Sequence, residues 1–317
     1  MRLSFRPIRP EEIPAASALV DAAYAPKVRK IYGENSRIRK WRHYDETKIE
    51  SYVSREAAGV RVGLWRDKLL TLNVCRSYGS LGWFHTLAVH PQFQKRGLGR
   101  QAVTDAEAYL TARGVTAIGL MTWPMAIDNL AFYLHQGYHL GGLSVYAYRD
   151  TARPIIHGAS PFYAHLYAST SAAEENRVQD AIRALCQNIA VGLDYSAWVR
   201  WARQQPFAET LLLWRDGSLQ ALALAYFLPN ADWAEGKLLL FHPALTLTDK
   251  LWTLEHLRLW VRSRQRSPFG FSVDLTTDFA SAALLSHGFR LFPESMTNMV
   301  KGDALPDSSL HFVRFGG

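Results

Sequence analysis

The chain contains little cysteine. Cys75 and Cys186 are the only two cysteines among 317 residues, and neither lies in a CxxC pair or at a zinc-binding distance from histidine. Disulfide scaffolds and zinc sites both depend on such clusters. The sequence therefore predicts neither a disulfide framework nor a bound metal.

Long hydrophobic runs are also absent. The longest covers ten residues, 219–228, includes Gln220 and ends before Pro229. A membrane-spanning helix needs about 20 apolar residues and an export signal about 7–15. Near the N-terminus Arg6 precedes any apolar stretch. We therefore expect no membrane partner and a cytoplasmic location.

What is present is an ordinary globular composition, with 48% hydrophobic and 20% charged residues. A length of 317 residues favours two domains, because domains hold about 150 residues on average. Residues 150–162 contain Pro154, Gly158 and Pro161 and show little periodicity. We therefore predict a domain at 1–150, a linker at 151–162 and a second domain at 163–317.

Positive charge is concentrated in one segment. The chain has 36 basic and 28 acidic residues, a net charge of +8, and residues 27–42 hold seven basic residues and one acid, Glu34. The segment can be a solvated face or a rim that attracts an anionic substrate or cofactor. No nucleic-acid-binding motif accompanies it, so nucleic acid is not expected as a partner.

Hydrophobic patterns predict the order β-α-α-β-β-β-α-β-α-β for the first half, with hairpins first and a β-α-β crossover later. The second half repeats features of the first. His90-Pro91 and His242-Pro243 lie 152 residues apart, and LHQGYHL at 134–140 precedes LSHGFRL at 285–291 by 151 residues. Two nearly equal offsets indicate an internal duplication.

One loop has the composition of an anion site. A predicted strand ends at His90, a loop with Gly97 and Gly99 follows, and a long helix begins there. Backbone N–H groups at a helix N-terminus bind phosphate, and Lys95 and Arg96 add charge. The loop lacks the Gly-Lys-Ser/Thr of a P-loop and the third glycine of a dinucleotide fold. An ordinary strand-to-helix turn is the alternative.

Three segments, in order, resemble the GCN5-related N-acetyltransferases. They are Gln94-x-x-Gly97-x-Gly99 after LAVHP, the opening FRPIRPEEIPAASALVDAAY at 5–24, and DNLAFYLHQGY at 128–138. The resemblance covers residues 3–150. It implies the acyl-CoA N-acyltransferase fold, an α/β fold. Its mixed, mostly antiparallel sheet has a splayed parallel pair and flanking helices, and here the fold is duplicated in tandem.

The resemblance also implies acetyl-CoA as co-substrate, without a metal. The pantetheine arm would lie between the splayed strands 83–89 and 115–122, where the Val89 N–H would polarise the thioester carbonyl. Asn129 would bond the arm, although asparagine also suits a helix N-cap. The cofactor-binding residues implied by the resemblance are Leu87, Val89, Gln94, Lys95, Arg96, Gly97, Leu98, Gly99, Arg100 and Asn129.

Two proton-transfer roles follow from the resemblance. Tyr133 would protonate the leaving thiolate, or it packs in the core. His85 would act as the base, or it is structural; many family members use a carboxylate here, and none lies on this strand. Strand alternation predicts that Trp83, His85 and Leu87 share one face.

The second half lacks the equivalent residues. Asp249 and Leu251 stand at the offset positions of Gly97 and Gly99, and Ala280 and Leu284 at those of Asn129 and Tyr133. We expect this half to keep the fold without binding acetyl-CoA in the usual cleft. It would build the acceptor pocket or stabilise an interface, for example in a homodimer. The alternative is a shifted cofactor site in this half.

The sequence thus predicts an N-acetyltransferase that acts in its N-terminal half by direct attack of a primary amine on acetyl-CoA. The alternative is a non-catalytic acetyl-CoA-binding protein that regulates a partner. The acceptor would be a small-molecule or peptide amine. By the resemblance, the loop that walls the acceptor site would form an aromatic and cationic rim, which favours an anionic acceptor. The aromatic residues of this rim are Tyr24, Tyr32, Trp41 and Tyr44.

Overall fold

A computed structural model of the chain describes residues 1–32 and 45–314. Trp41, Tyr44, most of the basic segment and the side chain of Tyr32 lie outside this described part. The α-helices are α1 (Ile13–Tyr32), α2 (Glu46–Glu56), α3 (Leu98–Thr111), α4 (Ile127–Leu134), α5 (Glu175–Ile189), α6 (Ser196–Arg203) and α7 (Leu247–Ser263). A further helical segment covers Phe279–Leu284.

The strands are β1 (Ser4–Pro7), β2 (Val60–Trp65), β3 (Lys68–Tyr78), β4 (Leu81–Val89), β5 (Ala117–Thr122), β6 (His139–Arg149), β7 (Tyr163–Leu166), β8 (Ala208–Arg215), β9 (Ser218–Tyr226), β10 (Ala234–Phe241), β11 (Phe269–Asp274), β12 (Arg290–Gly302) and β13 (His311–Val313). None of the helices in the described ranges is long and apolar enough to cross a bilayer. Those ranges also hold no group of three or more His, Cys, Asp or Glu that could bind a metal.

The chain divides into two compact units that differ from the predicted domains. Unit 1 comprises Met1–Leu140 with Met299–Ala304, and unit 2 comprises Gly141–Asn298 with residues 305–314. The division therefore falls near residue 140, and the end of β12 returns to unit 1. Most of β6 belongs to unit 2, where it pairs with β11.

Residues 151–162 are packed against unit 2 instead of forming a free linker. The Ile155 N–H donates to the Glu255 carboxylate at 2.8 Å, and Arg258 donates to the Thr151 carbonyl at 2.7 Å. Ile155 itself is buried in the core of unit 2. The proline and glycine content resembles that of a linker, but the sequence could not reveal these long-range contacts.

In unit 1 the strand order is β1-β2-β3-β4-β5, and the end of β12 follows β5. The first four strands are antiparallel neighbours, and β4 and β5 are parallel. Helices α1 and α2 pack on one face of this sheet, and α3 packs on the other. Met299 is fully buried beneath α3, and the Lys301 ammonium donates to Glu107 on α3 at 3.0 Å.

Helix α3 shows why the sequence pattern identified it. Leu98, Ala102, Ala106 and Leu110 recur every four residues, and all four are buried. Residues at this spacing share one helix face, so burying them holds the helix on the sheet. The helix begins after Gly97, which has a positive φ of 76°.

Unit 2 repeats this arrangement with the strand order β6-β11-β10-β9-β8-β7. Its parallel pair, β10 and β11, is hydrogen-bonded only where Ala234 and Glu235 face Phe269 and Gly270. Beyond that point β13 pairs antiparallel with β10. The mixed α/β fold and its duplication, both predicted from the sequence, are thus confirmed.

Phe312 anchors β13 in the core of unit 2. Its ring lies 5.6 Å from that of Phe241, 5.9 Å from that of Phe271 and 5.4 Å from that of Phe279, measured between centroids. Aromatic clusters of this kind combine large buried areas with favourable edge contacts. The side chain therefore holds the strand between β10 and β11.

We predict that Phe312→Ala lowers the free energy of unfolding of unit 2 by about 3–5 kcal/mol, because it leaves a cavity in the core. Phe292→Ala is the matched control, since Phe292 is 41% exposed and its loss should cost less than about 1 kcal/mol. Urea denaturation measures both values. Equal destabilisation by the two substitutions would contradict the assigned role of Phe312.

Candidate functional site

The parallel strands β4 and β5 of unit 1 separate after a short paired stretch. They are in register only where Leu81–Trp83 face Ala117–Gly119. From Phe84 and Leu120 onward the two strands are no longer paired with each other, although β4 continues to Val89 and β5 to Thr122. The predicted splayed pair is therefore present, and a gap opens toward the carboxyl ends of both strands.

Trp83 and Gly119 mark the point at which this gap begins. A Cβ atom on Gly119 would lie only 2.1 Å from the Trp83 ring. The indole therefore packs directly on the β5 backbone, and only glycine leaves room for it. This contact fixes the closed end of the gap.

The backbone of Val89 faces the gap. Val89 is opposite Thr71 on β3, and the ladder bond at this level runs from the His90 N–H to the Leu70 carbonyl at 2.9 Å. Val89 thus belongs to a non-hydrogen-bonded pair, whose own N–H points away from the partner strand. The Val89 N–H is therefore directed to the β5 side, as the thioester role requires.

The loop between β4 and α3 presents its backbone to the outside. Lys95 and Gly97 have positive φ angles of 58° and 76°, and the first turn of α3 follows. No atom lies within 4 Å of the place where a Gly97 Cβ would stand. Successive amides in such a turn before a helix form a concave anion site, so the loop geometry suits a diphosphate.

The side chains of this loop are cationic and exposed. Lys95, Arg96 and Arg100 are all exposed, and Leu98 is buried. Gln94 donates from its side-chain amide to the Val89 carbonyl at 3.1 Å and so ties the loop to β4. Gly99 lies close to Phe132, whose ring is 3.4 Å from the position of its missing Cβ. The predicted loop residues are thus brought together, Leu98 as an anchor and the others at the surface.

A β-bulge in β4 overturns one prediction. Leu72 faces Ala88 and Val74 faces His85, so Thr86 and Leu87 together oppose a single residue of β3. The extra residue changes the alternation of side chains along the strand. Leu87 consequently packs with the α3-side cluster, whereas Val74, the partner of His85, belongs to the cluster under α1 and α2. His85 and Leu87 therefore lie on opposite faces, and their predicted common face is wrong.

Thr86 produces this bulge at an energetic cost. It is buried and has a positive φ of 58°, which is a rare conformation for a β-branched residue. Its hydroxyl lies 2.8 Å from His85 Nδ1. The bulge therefore fixes the imidazole through one ring nitrogen and leaves the other, Nε2, to other partners.

His85 lies among aromatic side chains on the α1/α2 face. Its ring meets Tyr52 edge-on at 4.9 Å between centroids. On the same strand face, Tyr24 donates from its hydroxyl to the Leu87 carbonyl at 3.4 Å and contacts Trp123 at 6.1 Å. Sequence reasoning missed Trp123, although its position directly after a predicted buried strand was an available signal.

Tyr133 lies on the opposite face, where the two strands begin to separate. Its ring is 6.2 Å from that of Phe84 and shares a cluster with Leu120, the first residues of β4 and β5 beyond the paired stretch. Burial raises the pKa of the Tyr133 phenol above its ordinary value. The hydroxyl therefore stays protonated at neutral pH.

Asn129 lies inside α4 and does not cap it. The N-cap is Ala126, and the Asn129 amide donates to the Thr122 hydroxyl at the end of β5, at 3.2 Å. The N-cap alternative is therefore wrong. Asn129 links α4 to the rim of the gap, which is compatible with the predicted contact to a pantetheine arm.

Unit 2 closes the equivalent gap with its own chain. The Phe241 N–H donates to the Leu310 carbonyl and the Arg314 N–H to the Lys237 carbonyl, each at 2.9 Å. These bonds use the side of β10 that corresponds to the free side of β4. Lys237, at the offset position of His85, is buried with its ammonium 2.7 Å from Glu235.

The N-terminus of α7 is likewise taken by a side chain. Asp249 accepts hydrogen bonds from the Thr246 hydroxyl at 2.8 Å and from Arg215 at 2.8 Å. These bonds and the Arg215 charge hold the pKa of Asp249 below its ordinary value, although burial opposes them. A carboxylate therefore caps the first turn of α7, whereas the first turn of α3 has no side-chain cap.

Comparison with known proteins agrees with this geometry. Residues 25–138 match the model of the acetyltransferase (GNAT) family. A putative acetyltransferase from Pyrococcus horikoshii is 13% identical with a TM-score of 0.67, and the match covers 99% of this chain and 95% of that one. A GCN5-related N-acetyltransferase from Sphaerobacter thermophilus is 13% identical with a TM-score of 0.61, covering 97% and 98%.

A tandem GNAT protein from the clavulanic acid biosynthesis pathway is also 13% identical, with a TM-score of 0.57 and coverage of 96% of this chain and 100% of that one. No curated protein sequence matches the chain. At these identities the structural matches show the fold, and they do so over both halves.

The strain at Thr86 generates a prediction about stability. Thr86→Gly should change the free energy of unfolding by less than about 1 kcal/mol, because relief of the left-handed backbone offsets the lost hydrogen bond. Thr71→Gly is the control: Thr71 is equally buried, on β3, without a positive φ. For Thr71→Gly we expect the free energy of unfolding to fall by about 2 kcal/mol. Equal losses in urea denaturation would mean that Thr86 is unstrained.

Proposed function

We propose that unit 1 transfers an acetyl group from acetyl-CoA to a primary amine, because residues 25–138 match the model of the acetyltransferase (GNAT) family. The family and the fold support acetyl transfer in general. The donor, the amine acceptor and the assignment to unit 1 are the specific content of the proposal. A cytoplasmic location is part of it as well.

The difference between the two gaps is the observation that carries the proposal. Past Trp83 and Gly119, β4 has no partner strand on its β5 side among the described residues. In unit 2 the same side of β10 is paired with β13. A linear group with amide bonds, such as a pantetheine arm, needs the unpaired edge that β4 retains. This difference supports unit 1 as the half in which the proposed reaction takes place.

The residues of unit 1 fit such a co-substrate. Acetyl-CoA would supply the activated acyl group as a thioester. The loop amides and the exposed Lys95, Arg96 and Arg100 would bind its diphosphate. The Val89 N–H, directed into the gap, would donate to the thioester carbonyl and stabilise the negative charge that develops there.

Tyr133 and His85 would manage protons on the two faces of the sheet. Tyr133, kept protonated by burial, would donate its proton to the departing thiolate. His85, held through Nδ1 by Thr86, would accept a proton from the amine through Nε2. An imidazole has an ordinary pKa near 6.5, which suits a base at neutral pH.

The acceptor in this proposal is a small-molecule or peptide amine that approaches on the α1/α2 face. Tyr24, Trp123 and Tyr52 supply aromatic surface there, and the Lys48 ammonium lies 5.6 Å from the centre of the Tyr52 ring. Lys48 supports an acceptor that carries a negative group besides its amine. Aromatic faces also attract an ammonium group before it loses its proton.

Thiol release from acetyl-CoA in the presence of a panel of amines tests the proposal. Amines with and without a carboxylate or phosphate should be compared. We expect amine-dependent release of CoA and an acetylated product detected by mass spectrometry. Saturable binding of acetyl-CoA without transfer to any amine would instead support the regulatory alternative.

We predict that Tyr133→Phe lowers kcat by at least about tenfold and leaves acetyl-CoA affinity unchanged, because a general acid contributes about 10²–10⁴-fold. Tyr138→Phe is the control. Its ring lies 5.9 Å from that of Tyr133 in the same cluster, but its hydroxyl donates to Glu107. Stopped-flow or steady-state assays compare the two variants. Full activity in Tyr133→Phe would reduce Tyr133 to a packing residue.

We also predict that Gly97→Ala weakens acetyl-CoA binding at least about tenfold, a change of 1.4 kcal/mol. The added methyl group would project into the open space assigned to the diphosphate. Gly114→Ala is the matched control, because Gly114 ends the same helix with a φ of 78° and equally open surroundings. Both variants carry the same backbone strain. Calorimetry showing equal affinities would rule out the loop as the diphosphate site.

A further inference from the structure

Unit 2 contains a cavity of about 520 Å³ beside the N-terminus of α7. It is lined by Leu247 and Lys250 of α7, by Thr276 and Thr277 after β11, and by Phe279 and Ala283. A volume in the range of about 300–1,000 Å³ suits a small organic molecule. The cavity therefore has the size and mixed lining of a ligand site.

The cavity lies where unit 1 has its anion loop, but it cannot serve the same ligand. Lys250 stands at the 152-residue offset from Leu98. In unit 2 the gap between β10 and β11 corresponds to the gap in which a pantetheine arm would lie in unit 1. This gap is filled by β13. Ser309, just before β13, also lines the cavity. Any occupant is therefore short and ends at the β13 backbone.

Lys250 is the cation of this cavity, and it has few partners. Its ammonium donates to the Ser309 carbonyl at 3.0 Å and lies 5.5 Å from the ring centres of Phe241 and Phe279. An ammonium group has three N–H donors. Among the described residues, the Lys250 ammonium donates to one protein oxygen, that of Ser309. Among the described residues it forms no ion pair within 4.0 Å. Burial lowers the pKa of Lys250, and Asp307 opposes this effect.

No carboxylate among the described residues pairs directly with this ammonium, although Asp307 lies near enough to raise its pKa. Asp249, the preceding residue, is held by Thr246 and Arg215. Asp278 lines the cavity and has an interaction of its own. A half-buried cation without a directly paired carboxylate favours an anionic ligand, because the ligand would restore the lost solvation.

We propose that this cavity of unit 2 binds a small carboxylate with an apolar body. The carboxylate accepts hydrogen bonds from the Lys250 ammonium, whose remaining N–H donors have no protein acceptor among the described residues. Leu247, Phe279 and Ala283 contact the apolar part. The site is separate from the proposed acetyl-transfer site, because every residue that forms it belongs to unit 2.

Calorimetric titration of the full chain with phenylacetate and phenylacetamide tests the proposal. The two probes have nearly the same shape, and only the first is charged. We expect phenylacetate to bind saturably and at least about tenfold more tightly, because only its carboxylate can form a charge-assisted hydrogen bond with the Lys250 ammonium. Inorganic phosphate should compete weakly, because it lacks the apolar body. Equal affinity for both probes, or no binding of phenylacetate, would overturn the proposal.

Substitution locates the binding in unit 2. Lys250→Met should reduce phenylacetate affinity to the level of phenylacetamide. Arg262→Met, which removes an equal charge from the exposed face of the same helix, should change nothing, and Lys250→Gln replaces the methionine variant if that does not fold. Undiminished phenylacetate binding in the Lys250 variants would overturn the proposal. Acetyl-CoA turnover by Lys250→Met should equal that of the unchanged chain, which separates this result from any failure of the proposed function.

Discussion

The separation of two parallel strands is the constraint on which the candidate site depends. Neighbouring strands normally continue to pair, because an unpaired backbone amide that is removed from water costs free energy. In unit 1 the Trp83 ring on Gly119 fixes where β4 and β5 part, and the bulge at Thr86 turns β4 away from regular alternation. The result is a polar backbone edge between two helical layers. Tyr133 stands on one side of this edge and His85 on the other.

Unit 2 meets the same constraint in a different way. Its parallel strands also part after two residue pairs, but β13 supplies the missing partner and Phe312 fills the space beneath it. The buried Lys237–Glu235 pair then replaces the partly buried His85 imidazole of unit 1. The fold thus survives without its cleft, because the chain itself provides the hydrogen bonds that a bound molecule would otherwise supply.

Local patterns explain which features the sequence could predict. The four-residue repeat of α3, the glycines of the loop and the helix that carries Tyr133 are each determined by neighbours a few residues away. Thr86 gave no signal, because threonine is a poor residue for a positive φ and only the finished sheet holds it there. The packing of residues 151–162, the contact between Tyr24 and Trp123, and the course of β13 all depend on distant partners. Spacing along the chain does not encode them.

The return of Met299–Gly302 to unit 1 has a consequence for biosynthesis. Met299 is fully buried among the residues that α3 covers, and the Asp303 N–H donates to the Thr116 carbonyl at the start of β5, at 3.1 Å. A ribosome therefore releases the last component of unit 1 only after residues 141–298, which belong to unit 2, have been made. Until then the outer edge of β5 stays open to incorrect partners. The order of synthesis thus places completion of the first unit after most of the second unit has been made.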